Sequence, residues 1–314
     1  MTRLPRRFIA LGVLALLLLL VPLLTGSSYV RHLFILAFLY GVIASNWDLS
    51  QGYGGIFNFG HLAFFGLGAY TAAILSAQLG VNPWLAVLAS ALVPALSALL
   101  VALPVVRLRG IYVILVTFAF GQLCSQIIVS QARVTGGNQG LVGVPGLVAF
   151  GHDFGGDNKL AYYYLAFALL ILSTAFLRWI IRSDTGLAII ALRDQEDYGV
   201  ARGANLARTR LSTMVLSAIF TGLAGGFYST YLGVVSPDVF SFSIVTTVLS
   251  MVLLGGLGTI YGPIIAAFVL TFLTELLVDL GPARYLIVAA LTVAVLWLAP
   301  GGLYAGLHGR LKVR

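Results

Sequence analysis

Five polar side chains, Asn46, Asp48, Gln51, Asn58 and His61, fall within one stretch, SNWDLSQGYGGIFNFGHLAFFGLGAY from Ser45 to Tyr70, whose two flanks are strongly apolar. Amides, a carboxylate and an imidazole at this density can hold a polar solute, an ion or a proton. If the flanks lie in a bilayer, such side chains are costly and need an internal or water-facing reason to be there. The stretch also carries six glycines. Those at 52, 54 and 55 should break the helix, which membrane depth tolerates only where protein or a water-filled cavity covers the freed backbone. Two readings stay open. One is a discontinuous transmembrane segment beside a polar pathway. The other is a cytosolic turn between two spans, followed by a Gly-rich packing helix.

Elsewhere the missing chemistry does much of the sorting. The four histidines are scattered, Cys124 is the single cysteine, and no Cys/His cluster has metal-ligand spacing. Neither H-E-x-x-H nor G-x-S-x-G occurs. Only Lys159 and Lys312 represent lysine, and neither completes a P-loop. No catalytic residue, metal or cofactor is expected in this chain, and any ATP-driven step would need a separate subunit to bind the nucleotide. Asp48, Glu275 and Asp279 are the acids in apolar runs, too separated to suggest a proton relay. Ser243, Thr247 and Ser250 share one helical face; Thr117, Gly121 and Ser125 share another, beside Gln122 and Gln126. Such faces either line a pathway or join helices by hydrogen bonds. Ala218, Gly222 and Gly226 form a small-xxx-small ridge for helix packing.

These groups must be positioned by membrane helices. Hydrophobic residues make up 60% of the chain and charged residues 9%, against about 25% charged in ordinary soluble domains. Apolar runs of about 20 residues argue for helices rather than a barrel. The fold class is therefore an all-α polytopic membrane protein, one transmembrane domain over 1–314. About ten segments are expected, at Phe8–Leu24, His32–Leu49, Ile56–Gln78, Trp84–Val106, Ile111–Gln131, Leu160–Ile181, Leu211–Leu232, Ser243–Leu257, Gly262–Leu280 and Arg284–Ala299. The third and eighth are candidates for broken or re-entrant helices. The first is taken as a retained helix rather than a signal peptide. With both termini cytoplasmic, fourteen of the 18 Lys and Arg residues fall inside and four outside, as the positive-inside rule requires. The net charge of +8 thus reports topology rather than nucleic-acid binding.

Two long segments remain between spans. The outer one, residues 132–159, contains TGGNQG (Thr135, Gly136, Gly137, Asn138 and onward) and GGDN, rich in turn formers. Its length suits a docking surface. The inner one, residues 183–210, has Asp184 and Thr185 as candidate caps. Leu187, Ile190, Ala191, Val200 and Ala201 suggest short helices with one apolar face, broken at Gly203. Arg193, Asp194 and Glu196 accompany that face. The Gly-rich runs at Gly52–Gly60 and Leu253–Pro263 interrupt corresponding parts of the two halves, as broken helices do around midplane sites in transporters.

GYGGIFNFGHLAFFGLGAY resembles the signature of permease subunits of branched-chain amino acid ABC importers, the Liv type, most closely the M-type subunit. LRGIYVILVTFAFGQ (Leu108–Gln122) is similar to the family's L-R-G-x-Y-x-x-x-x-T-x-x-F-G-E, and TGGNQG to its T-G-G-x-x-G. ALRDQE with ARGAN, and MVLLGGLGTIYGP (Met251–Pro263), resemble further family motifs in the same order. Gln122 departs from the family's usual Glu, removing an intramembrane charge, and Arg202 from its usual Leu. The resemblance implies a multi-pass protein of the bacterial inner membrane. Implied partners are a homologous second permease, two cytosolic ABC ATPase subunits and a periplasmic substrate-binding protein. The concentration of polar residues in the interrupted stretch and on the two polar faces puts the expected substrate pathway at Asn46, Asp48, Gln51, Asn58, His61, Gln122, Ser243 and Thr247. The inner segment becomes a coupling loop that docks on the ATPase, with Gly186, Arg193, Asp194, Glu196, Ala201 and Gly203 as its residues. Thr135, Gly136, Gly137 and Asn138 become contacts for the binding protein. The function so implied is translocation of branched-chain amino acids, with urea or short amides as the alternative substrate. A self-sufficient secondary carrier is the alternative from another class.

Overall fold

The computed structural model describes residues 18–22, 26–149, 152–154, 159–298 and 301–303. Most of the expected first span, the GGDN turn and the C-terminal cations Arg310, Lys312 and Arg314 lie outside the described residues. Twelve helices of six residues or more carry the described chain. They are α1 (Ser28–Asp48), α2 (His61–Ala73), α3 (Pro83–Ala89), α4 (Leu92–Val105), α5 (Ile111–Ser130) and α6 (Leu160–Arg182). There follow α7 (Asp184–Asp194), α8 (Glu196–Ala201), α9 (Leu206–Leu232), α10 (Phe242–Gly255), α11 (Tyr261–Leu276) and α12 (Ala283–Leu298). Five continuous or near-continuous helical stretches are long and apolar enough to cross a bilayer: Ser28–Tyr53, Pro83–Val105, Ile111–Ser130, Leu160–Arg182 and Leu206–Leu232. Shorter apolar helices are α10, α11 and α12. This is an all-α polytopic membrane protein.

Helix α1 is the axis of the bundle. From Gly41 to Gly52 every residue is buried, so this second half of the helix has no solvent or lipid face, the mark of a segment enclosed by other helices. It packs against α6, α9, α10 and α11, while α2 packs against α9, α4 and α5. The outer surface is apolar: Leu85, Leu96, Leu100 and Leu103 on α3–α4, and Leu286, Val293 and Trp297 on α12, are all exposed. Leucine and tryptophan in those places suit lipid rather than water.

The expected span Trp84–Val106 is divided at Ser90 and Ala91. Pro94 cannot donate to the carbonyl four residues back, and Ser90 uses its Oγ on the carbonyls of Val87 (2.6 Å) and Gly222 (3.1 Å). The small-residue ridge of α9 receives this kink. A Cβ on Gly226 would stand 2.2 Å from Ser90 Oγ, and one on Gly222 2.6 Å from the Pro94 ring. The opposite side of Gly222 touches α2, where a Cβ on Gly68 would meet the Gly222 carbonyl oxygen at 2.2 Å. Only glycine permits these approaches.

The two inter-span segments sit at opposite ends of α5 and α6. At one end, Ala132–Thr135 makes a helical turn, β1 (Leu141–Val142) pairs antiparallel with β4 (Val234–Val235), and β2 (Val148–Ala149) pairs antiparallel with β3 (His152–Asp153). At the other end lie α7 and α8. Ser183 rather than Asp184 or Thr185 is the cap of α7, its Oγ accepting from the Gly186 amide at 3.4 Å. Asn205 caps α9 by accepting from Arg208 at 2.9 Å, and Gly203 at φ +94° turns the chain between them.

Candidate functional site: a paired helix break and the segment beneath it

The break begins at the end of α1. Beyond Asp48 the helix widens into a π-turn over Leu49–Tyr53, a geometry frequent at functional sites. Gly55 at φ +65° then reverses the chain, with the Ile56 amide donating to Ser50 O at 2.8 Å. Helix α2 restarts only at His61. Thr117 of α5 clasps the irregular stretch: its Oγ1 accepts from the Phe59 amide at 3.0 Å and donates to Val113 O at 2.8 Å.

The second Gly-rich run meets the first directly. Asp48 Oδ1 accepts from the Gly258 amide at 2.8 Å and Oδ2 from the Thr259 amide at 3.0 Å. A Cβ on Gly52 would lie 2.0 Å from Asp48 Oδ1 and 2.2 Å from Gly258 N. The carboxylate therefore satisfies the turn between α10 and α11, and glycine at 52 lets the two breaks close on one another. Asp48 is fully buried, and both its oxygens are occupied by this clamp.

The other polar residues of the stretch are buried as well. Asn46 Nδ2 donates to Ser173 Oγ of α6 at 2.7 Å and to Val42 O at 2.8 Å, joining two helices. His61 lies flat on Trp47, with ring centroids 5.5 Å apart. Its Nε2 is 2.9 Å from Thr221 Oγ1, at mid-height on α9. Thr221 Oγ1 also lies 2.8 Å from Ser217 O, so the hydroxyl ties the imidazole to the backbone of α9. Asn58 Oδ1 accepts from the Gly60 amide at 3.0 Å. Asn46 Oδ1, Gln51 Oε1 and Asn58 Nδ2 have no hydrogen-bond partner among the described residues.

Gln122, Ser243 and Thr247 are placed differently. Gln122 is exposed on α5 and borders a narrow cleft between α2, α5 and α10 with Phe59, Leu62, Phe118, Phe240 and Val245. Ser243 and Thr247 are half-buried on α10, where Thr247 Oγ1 donates to Ser243 O at 2.9 Å. The polar residues of the break thus form a layer behind Phe59 and Leu62, and Gln122 stands in front of it.

The segment of residues 183–210 is seated on the underside of the break. Gly186 packs so closely on α6 that a Cβ would meet Ile180 O at 2.3 Å. Ile189 is buried with Leu49, Leu177, Ile180 and Ile260. Arg193 Nη1 donates to Gly52 O at 2.8 Å, while Nε and Nη2 reach Asp194 Oδ1 at 2.8 and 2.7 Å. Glu196 bridges Arg109 before α5 (2.6 Å) and Arg210 on α9 (2.9 Å). Arg193 Nη1 and Glu196 therefore reach the membrane helices, while Arg193 as a whole, like Asp194, Ala201 and Gly203, is exposed. The outward face of α7 and α8 carries Leu187, Tyr198 and Val200, all exposed. Between segment and helices lies a crevice of about 150 Å³, lined by Gly55, Ile56, Leu192, Arg193, Glu196 and Arg210 among others.

At the far end, Thr135 is buried and its Oγ1 donates to Ile128 O (2.5 Å) and Gln131 O (3.0 Å). Gly136 and Gly137 follow in left-handed conformations, and Asn138 is exposed. Sequence reading did not single out Ser173, Thr221, Arg109 or Arg210. Arg109 lay within a quoted motif; the others carry no local signal, because their partners are distant in the chain.

Helices broken at glycine pairs, stitched across the bundle and buried inside an apolar exterior, define a polytopic permease. The family described as branched-chain amino acid transport system / permease component matches residues 29–296, and the chain belongs to it. It is 29% identical to the high-affinity branched-chain amino acid transport system permease protein LivM of Salmonella typhimurium, over 94% of this chain and 80% of the relative. The LivM protein of Escherichia coli K12 is also 29% identical, over 89% of this chain and 71% of that protein. No solved structure matches the chain.

Proposed function

We propose that this chain is the permease subunit of an ATP-driven importer and forms one wall of the path for branched-chain amino acids. Family membership and the names of its relatives supply the substrate class. The observation that carries the path is Gln122. An amide exposed on a membrane-spanning helix is costly against lipid, so this face of α5 meets water or another polypeptide. Phe59, Phe118 and Phe240 beside it offer the apolar surface an aliphatic side chain needs, and the amide offers a polar contact. A related second permease supplies the opposite wall. Ser243 and Thr247 extend this wall along α10, and Asn46, Asp48, Gln51, Asn58 and His61 hold its shape from behind.

Residues 183–210 are the coupling loop on the cytosolic side of a bacterial inner membrane, with both termini on that side. Leu187, Tyr198 and Val200 leave apolar area uncovered, and burying each is worth roughly 1.5 to 3 kcal/mol. A groove on one of two ATPase subunits covers such a face, and those subunits bind the ATP. Asn138 and its neighbours meet the substrate-loaded binding protein on the opposite side. Purification with ATPase subunits and a second permease, followed by ATP-dependent leucine uptake in proteoliposomes, tests the assignment. Uptake by this chain alone, without ATP, overturns it in favour of a secondary carrier.

A further inference from the structure

We propose that Arg193 is the positioning residue through which motion of residues 183–210 reaches the membrane, its guanidinium locked on the Gly52 carbonyl where Asp48 clamps the α10–α11 turn. This rests on the coupling role proposed above for that segment.

The lock is built from backbone that has no other partner of the usual kind. In a continuing α-helix Gly52 O would accept from the Ile56 amide, but that amide turns back to Ser50 O. The π-turn thus frees a carbonyl at a helix C-terminus, and Arg193 Nη1 takes it at 2.8 Å. A cation is favourable at this end of a helix, and the planar guanidinium can serve Gly52 and Asp194 together where an ammonium cannot. The side chain is confined on both flanks. A Cβ on Gly55 would stand 3.1 Å from Arg193 Cγ, and one on Gly258 3.4 Å from Nη1. Arg193 therefore lies between the two glycine breaks rather than beside one of them.

The rest of α7 reinforces the same point. Ile189, one turn earlier on the same face, is buried against Leu49 at the end of α1 and Ile260 just after the clamped turn. Above the guanidinium, Gly52 lies against Asp48 Oδ1 and Gly258 N with no room for a Cβ. A displacement of α7 is delivered to α1 and to the α10–α11 turn together. Glu196 holds the same segment by another route, to Arg109 and Arg210, so losing Arg193 leaves it attached while disconnecting it from the breaks.

The test uses the assembled importer in proteoliposomes, with Cys124→Ser as parent, and reads leucine uptake per ATP hydrolysed. Arg193→Ala is expected to keep its ATPase subunits and hydrolyse ATP, while uptake per ATP falls roughly tenfold, the scale of one charge-assisted hydrogen bond. A covalent link should replace the lost contact. A Cβ on Gly55 would lie 3.6 Å from Arg193 Cβ, within the range that a disulfide spans. Gly55→Cys/Arg193→Cys should be uncoupled when reduced and recover uptake per ATP on oxidation. Parental coupling in Arg193→Ala overturns the proposal, and so does an oxidised double variant that couples no better than its reduced form while Gly55→Cys alone, the control for strain at φ +65°, couples like the parent. Failure of the parental chain to bring ATPase subunits through purification would instead remove the importer reading on which the proposal rests.

Discussion

Asp48 and Thr259 stand 211 positions apart, and the carboxylate of the first accepts the amide of the second at 3.0 Å. With the neighbouring Gly258 amide at 2.8 Å, the contact makes a buried acid into a structural clamp. Asp48→Ala strands both amides in a partly buried turn. A hydrogen bond to a charged group is worth about 1.5 to 3 kcal/mol, so this variant should lose on the order of 3 kcal/mol. Asp48→Asn keeps one acceptor oxygen and should fall between the two. Thermal unfolding of the purified subunit in detergent measures the order; an Ala variant melting with the wild type would contradict the clamp.

That contact also shows which features were legible in the sequence. The apolar runs fix the helices, and the polar, Gly-rich stretch after residue 45 marks the break. The likeness between Gly52–Gly60 and Leu253–Pro263 was a pointer to a midplane site; the structure joins the two runs through Asp48, directly above residues 183–210. The α9 ridge announced its packing because small residues at four-residue spacing have little other use in a membrane helix. The acids and cations were harder to read. Glu196 reads locally as a solvent charge, and only the fold brings Arg109 and Arg210 to it. Helix α5 is apolar on most sides, so its sequence does not announce that Thr117 turns inward and Gln122 outward.

Asn46 tests the difference between lining a path and joining helices. Its amide reaches Ser173 Oγ at 2.7 Å, entirely within the protein. Ser173→Ala removes that partner while leaving the helix backbone intact. Interhelical hydrogen bonds in membranes contribute about 0.6 to 2 kcal/mol. The variant should therefore melt slightly earlier and transport leucine at close to the wild-type rate. A tenfold or greater loss of uptake without loss of stability, measured in proteoliposomes against the scale of such bonds, would place Asn46 on the path itself.

Solvent access separates the two layers of the proposed wall. Gln122 is exposed on α5, whereas His61 is fully buried between Trp47 and Thr221. In a Cys124→Ser background, Gln122→Cys should react with small water-soluble thiol reagents in the assembled transporter. Leucine-loaded binding protein should change its rate. His61→Cys should stay unreactive in the resting complex. The reverse pattern would move the route from the α5 face into the break.

Close helix approach at Gly68 and Gly222 leaves no room for a side chain, since a Cβ on Gly68 would stand 2.2 Å from the Gly222 carbonyl oxygen. Gly68→Val must push α2 away from α9 and with it the His61–Thr221 contact. Overpacking of this kind typically costs about 1 to 3 kcal/mol, and backbone on the other side gives no rotamer by which to escape it. Lower yield and earlier melting should accompany any loss of uptake. Normal melting with normal uptake would show that the two helices separate more readily than their packing implies.

The loop after α5 presents its polar tip by burying Thr135 and Gly137 and half-burying Gly136 and Gly140. Thr135 Oγ1 donates within the preceding turn, to Ile128 O and Gln131 O, and accepts from the Gly137 amide at 3.3 Å. Gly136 at φ +75° has no space for a Cβ, which would meet Gly140 O at 1.9 Å, and a Cβ on Gly140 would meet Val235 O at 2.1 Å beside the β1–β4 pair. These contacts tie the loop to the start of the segment leading into α10, and Asn138 and Gln139 are left outward. A photocrosslinking residue at Asn138 should therefore capture the binding protein, and more of it when leucine is bound. Thr135→Val keeps the shape but loses the hydroxyl contacts, at a cost of about 1 kcal/mol, and should weaken that capture without abolishing assembly with the ATPases. Adducts from Asn138 that form only with other membrane proteins would remove this loop from the docking surface.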